Sequence, residues 1–187
     1  MQKIILASQS PRRKQLLEWA EINFDVEVSE ADESYPEHLI IEEIPVFIAR
    51  NKAKAVQQKL NNNSLILAAD TIVVLNNEVI TKPSNRQHAI KILQFLSGKK
   101  HEVITGVVLL QNKKEISFAD VTQVEFNNLT EEQIIFYIDK YRPYDKAGAY
   151  AIQEWIGVVG IKSINGDFYN VMGLPVSRVM QALNKFH

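Results

Sequence analysis

At 187 residues, 46% hydrophobic and 23% charged, the chain can bury a sizeable core without staples, as a single domain over 1–187 or one domain with two lobes around a cleft. A net charge of -1 argues against a nucleic-acid binder, whose phosphate contacts normally leave a basic excess. The absence of cysteine excludes disulfides and thiolate metal sites, and no segment has signal-peptide or transmembrane length, so the expectation is a cytoplasmic protein with no membrane partner.

Lys3 to Ala7 is a short apolar run suited to a buried strand. It meets Ser8-Gln9-Ser10-Pro11, where Ser10 suits an N-cap and Pro11 the first helical position. A helix is predicted over Pro11 to Ala20, with Leu16, Leu17 and Ala20 inward. A second is predicted over Pro45 to Leu60, because Ala49, Ala53, Val56 and Leu60 recur on one face. Asn61-Asn62-Asn63 ends it. Leu65 to Ala69 then reads as a buried strand that continues extended through Thr71 to Leu75, and Asn76-Asn77 reads as a tight turn into Val79-Ile80.

Ser84-Asn85-Arg86-Gln87 has the form of a capping box, opening a helix to about Leu96 with Gly98 as its stop. His101 to Gln111 and Glu115 to Phe126 are strand-like and joined by a polar turn at Asn112-Lys113. Thr130-Glu131-Glu132-Gln133 is a further capping box, for a helix to about Tyr141. The loop Asp145 to Tyr150 is expected to precede more strands, with Asn165-Gly166 as the hairpin turn between them. The last helix is placed near Pro175, with Val176, Val179, Met180 and Leu183 as its inner stripe. Strands interleaved with helices, and hairpins among the strands, give an α/β fold with a mixed sheet.

Several residues have the chemistry of a phosphate site. A strand feeding the helix at Ser10 puts backbone N–H groups and the positive dipole end at one point. Ser8 and Ser10 add hydroxyls there, and Arg12 and Arg13 add forked donors that match phosphate oxygens. Read locally, the same run is first a capped surface helix with two solvated arginines. The strand Leu65 to Ala69 ends on Asp70, where an α/β sheet faces its ligand, and a carboxylate there can hold a divalent cation or polarise a water. Lys52 and Lys82 can meet a phosphate as point charges, and Glu33 can serve as an oxygen ligand for magnesium; the plain alternative for each is a solvated side chain. Gln153 carries both a donor and an acceptor and can pair with a uracil or thymine edge. The four histidines, His38, His88, His101 and His187, show no metal-ligand spacing, and no Walker P-loop occurs.

The order and wording of these runs carry more than any one of them. Ser8-Gln9-Ser10-Pro11-Arg12-Arg13, Asn51-Lys52-Ala53, Ala69-Asp70-Thr71-Ile72-Val73, Lys82-Pro83, Leu96-Ser97-Gly98 with His101 to Gly106, Asp145 to Tyr150, and Asn170 to Pro175 together resemble the Maf family of nucleoside triphosphate pyrophosphatases. The resemblance runs from about residue 4 to residue 180, nearly the whole chain. It implies an elongated, twisted mixed sheet flanked by helices, with a deep cleft between two lobes. It implies a nucleoside triphosphate substrate, cleaved to monophosphate and pyrophosphate with a divalent metal, magnesium or manganese.

By the same resemblance, Asp70 is the catalytic residue. Ser8, Arg12, Arg13, Lys52 and Lys82 bind the phosphates, and Glu33 and Asp70 hold the metal. The Asp145–Gln153 block is similar to the branch acting on dTTP and UTP rather than on 7-methyl-GTP, and Arg13, Thr71 and Gln153 fall where substrate choice is set. The family often forms homodimers, so a homodimer is among the implied assemblies. A non-hydrolytic nucleotide-binding regulator of cell division is the competing reading from another class. Three positions depart from the family pattern: Glu154 and Asn77 stand where glycine is usual, and His88 where an acid is usual. Glu154 lies closest to the implied base contact.

Overall fold

The computed structural model describes residues 3–28 and 30–186; Met1 and Gln2 of the N-terminal run, and His187 among the histidines, lie outside the described residues. Strand β1 (Ile4–Leu6) enters helix α1 (Pro11–Trp19), capped by Ser10, whose Oγ accepts the Arg13 N–H, with Pro11 at the first position. Leu16 and Leu17 are buried as expected, and Ala20 is half-buried just beyond the helix. Strand β2 (Phe24–Val26) and helix α2 (Glu43–Leu60) follow; α2 begins two residues before Pro45 and ends on Asn61 in the left-handed region. Strand β3 (Leu65–Leu75) is continuous through Asp70, and Asn76 and Asn77, both at positive φ, turn it into β4 (Glu78–Ile80).

Helix α3 (Arg86–Leu96) corrects the capping expectation. Asn85 is the N-cap and accepts the His88 N–H; the Ser84 N–H is taken instead by His88 Nδ1 at 3.2 Å. Strands β5 (Lys100–Gln111) and β6 (Lys114–Phe126) and helix α4 (Glu131–Tyr141), with its Thr130–Gln133 capping box, stand where expected. The stretch after residue 145 does so only in part: a strand does run up to Asn165, but short helices flank it. A 3-10 turn at Ala147–Ala149 leads into a short helix, α5 (Trp155–Gly160), before strand β7 (Ile161–Asn165). Asn165-Gly166 then opens helix α6 (Phe168–Met172), not a return strand. In α7 (Val176–Leu183) the fully buried positions are Val179, Ala182 and Leu183; Val176 and Met180 are half-buried, so the inner face is turned toward Ala182.

The seven strands form one mixed sheet in the order β2-β1-β3-β5-β6-β7, with β4 paired to β3. The β1 pairs with β2 and β3 are parallel, and the β3–β4 and β6–β7 pairs are antiparallel. The described residues divide into two compact units: those of 3–71, 105–120 and 173–186 form the first, and 72–104 with 121–172 the second. In the first, Ala49, Ala53 and Val56 of α2 pack with Ile66, Ala68, Val108 and Leu110 of the sheet. In the second, Leu93 and Leu96 of α3 and Ile134, Tyr137 and Ile138 of α4 pack with Val73, Val103, Val124 and Phe126. No helix among the described residues is long and apolar enough to cross a membrane.

Candidate active site

The first unit gathers Ser8, Arg12, Arg13, Glu33, Lys52, Asp70 and Thr71. Parallel pairing sets β1 beside β3, and the Ala7 N–H continues it by donating to Leu67 O at 2.8 Å. Asp70 is therefore three residues past Leu67, the last β3 residue paired with β1, with its side chain 14% exposed. Its Oδ1 lies 2.7 Å from Lys52 Nζ, and Glu33 Oε1 lies 2.7 Å from the same nitrogen. Two carboxylates thus converge on one ammonium. Lys52 reaches them from α2, whose Ala49–Ala53 face is anchored in the core. Glu33 is exposed, on a loop turned by Asp32, whose carboxylate accepts both the N–H (2.8 Å) and the hydroxyl (2.5 Å) of Ser34.

Arg13 is buried and works from inside the protein. Its Nε donates to Gly173 O at 2.8 Å, Nη1 to Ser8 Oγ at 3.1 Å and Nη2 to Thr71 Oγ1 at 3.0 Å. Burial pushes the guanidinium below its ordinary pKa; the Asp70 charge, and to a lesser degree Glu33, work against that, while Arg12 adds to it. It stays charged, as arginine does in proteins. Ser8 Oγ also accepts the Ser10 N–H at 3.2 Å, and Thr71 Oγ1 shares a 2.9 Å hydrogen bond with the buried Thr105 hydroxyl. The Gly173 carbonyl reaches Arg13 from a backbone at φ +116, a conformation that favours glycine. Arg12, beside it in α1, is half-buried at the helix N-terminus, the positive end of the helix dipole.

Lys82 and Gln153 belong to the second unit. Lys82 is exposed between β4 and α3, and Gln153 is exposed at the turn before α5. Sequence reasoning missed Thr105 and Gly173 as partners of the Arg13–Thr71 frame, and Tyr137 and Lys146, which flank the Gln153 turn. Thr105 and Gly173 lie inside blocks that carry the family resemblance, but neither has a local chemical pattern that marks it.

A family model described as Maf-like protein matches residues 3–186. The chain belongs to the Maf family. A curated Maf relative from Cytophaga hutchinsonii, named dTTP/UTP pyrophosphatase, is 53% identical over 97% of this chain and 83% of its own length. One of the same name from Parabacteroides distasonis is 49% identical over 98% and 96%. The solved structure of the Staphylococcus aureus Ham1 protein aligns over 98% of both chains with a TM-score of 0.52 at 15% identity, a likeness of fold alone.

Proposed function

We propose that this Maf protein hydrolyses dTTP and UTP to the nucleoside monophosphate and pyrophosphate. The observation that carries the reading is the convergence of Glu33 and Asp70 on Lys52 beside the Arg13 frame. Full-length relatives near 50% identity, named for that activity, support it. Arg12 and Lys52, both in the first unit, neutralise the triphosphate and the charge that leaves with pyrophosphate. Arg13 acts through Ser8, Thr71 and the Gly173 carbonyl, which it holds in one arrangement. Asp70 takes the proton of the water that attacks the α-phosphorus, the bond to the bridging oxygen breaks, and pyrophosphate departs.

The donor set fits a divalent cation. Glu33 and Asp70 offer only oxygen, the preference of magnesium and manganese. No group of three or more His, Cys, Asp and Glu converges among the described residues. Two carboxylates with phosphate and water completing the shell is a usual arrangement for magnesium. When bound, the ion supplies charge neutralisation at the phosphate oxygens.

The test is pyrophosphate release, read with and without added inorganic pyrophosphatase, from dTTP, UTP, GTP and ATP. We expect turnover of dTTP and UTP that depends on the coupling enzyme for its orthophosphate signal. Asp70→Asn should lower kcat by at least about a hundredfold with an unchanged Tm. Wild-type turnover in folded Asp70→Asn removes Asp70 from the chemistry. Orthophosphate without the coupling enzyme makes the protein a phosphatase. Equal rates on all four triphosphates refute pyrimidine selectivity, and dTTP binding without turnover leaves the regulator reading.

A further inference from the structure

Residues 151–154 form a turn in which the Glu154 N–H donates to Ala151 O at 3.1 Å. Ala151 and Ile152 are buried, and Gln153 is exposed at the corner. One hydroxyl ties the two ends of this turn together. Tyr137 Oη accepts the Ala151 N–H at 3.1 Å and donates to the Glu154 carboxylate. Tyr137 itself is fully buried on α4, with its ring stacked on Tyr141 at 5.0 Å between centroids. The other Glu154 oxygen lies 3.6 Å from Lys146 Nζ, and that ammonium, on a side chain only 10% exposed, is 2.8 Å from Asp145 Oδ1. From α5 the backbone of Gly157 presses on the same turn: a Cβ there would stand 1.7 Å from Ile152 O.

Both ends of the turn are held, and the exposed Gln153 side chain projects from its corner. We propose that Tyr137, Glu154 and Lys146 form a latch that positions the Ala151–Glu154 turn and thereby sets how Gln153 is presented to the substrate base. The proposal rests on the reading that Gln153 pairs with the pyrimidine edge. It also accounts for a carboxylate next to a residue that must meet a polyanionic nucleotide. Glu154 is turned onto a hydroxyl and an ammonium, so its charge is matched within the protein. A fixed backbone leaves only the Gln153 side chain to be ordered on binding, which is where discrimination through an amide gains most.

The experiment compares KM and kcat for dTTP and GTP in wild type, Tyr137→Phe, Glu154→Ala, Glu154→Gln and Gln153→Ala, each with its Tm. Loosening the turn should raise KM for dTTP roughly tenfold and shrink the dTTP/GTP ratio of kcat/KM by a similar factor, with kcat changing much less. Glu154→Gln keeps an acceptor for the Tyr137 hydroxyl and should recover most of the loss seen in Glu154→Ala. A purely structural role would lower Tm without moving the ratio, and that result overturns the latch. Wild-type ratios in Tyr137→Phe and Glu154→Ala, beside a lost ratio in Gln153→Ala, overturn the latch alone. A wild-type ratio in Gln153→Ala overturns the base-reading role and the latch with it. If Tyr137→Phe does not fold, the two Glu154 variants, which alter a partly exposed side chain, carry the same comparison.

Discussion

Arg13 directs three donors at three segments, lying 5, 58 and 160 residues away along the chain. A planar fork can serve all three at once; an ammonium on a flexible stem cannot. Arg13→Lys should therefore leave at least one buried acceptor unmatched, lowering stability by about 2 kcal/mol. Ser8 and Thr71 would lose their common tether, and kcat/KM for dTTP should fall by about a hundredfold. Steady-state kinetics with a melting curve checks both; wild-type values in Arg13→Lys would show that only the charge matters. In sequence, Arg12 and Arg13 look equivalent, two forked cations at a helix start. Nothing local separates the one that faces inward, because its partners are remote. The same limit applies to Tyr137 and Glu154, 17 residues apart, whose contact no spacing rule anticipates.

Among the elements, legibility follows length and the presence of a cap. Helices α2, α3 and α4 carry eleven or more residues with a buried face, and α4 carries its capping box as written. Between 145 and 172 the strand that runs up to Asn165 is legible, but the helices beside it are not: they have only five or six residues, too few to show a period, and the Asn165-Gly166 signal leads into one of them. Ser84 lost the cap to its neighbour because Asn85 has the extended backbone and the oxygen within reach of the His88 N–H. The register of α2 on the sheet was equally hidden, yet it places Lys52. The first turn of α2 lies against Gly106 of β5, where a Cβ would stand 2.2 Å from Val46 N and 2.3 Å from Pro45 C. Those are backbone atoms, so Gly106→Ala must displace the helix. Such overpacking should lower stability by about 3 kcal/mol, a fall of about 10 °C in Tm at this chain length. Activity should drop with it as Lys52 shifts; a variant with unchanged Tm would show that α2 yields without strain.

At the scale of the whole molecule, the pH dependence of stability turns on a histidine in the second core. His101 is 2% exposed, its Nε2 lies 2.7 Å from the Tyr150 hydroxyl, and its ring packs against Phe126 at 5.2 Å. Burial lowers its pKa from 6.5 to about 4 and raises that of Tyr150, so both are neutral near pH 7. The unfolded chain therefore binds a proton between about pH 6.5 and pH 4 that the folded chain refuses. Stability is complete above pH 6.5 and declines as the pH falls through that window, by on the order of 2 kcal/mol at pH 4.5. Glu27, Asp32, Glu125, Glu132 and Asp139, held low chiefly by their hydrogen-bond partners, add losses of the same sign as their unfolded forms protonate, near pH 4 and below. The histidine contribution is therefore read best between pH 7 and pH 5, before the carboxylates dominate. Urea unfolding of wild type and His101→Gln at pH 7, 6 and 5 separates them. The wild type should lose stability progressively across that range, while the variant, with nothing to protonate at that position, should give a flatter profile. Parallel profiles would mean that His101 accepts its proton without unfolding the core around it.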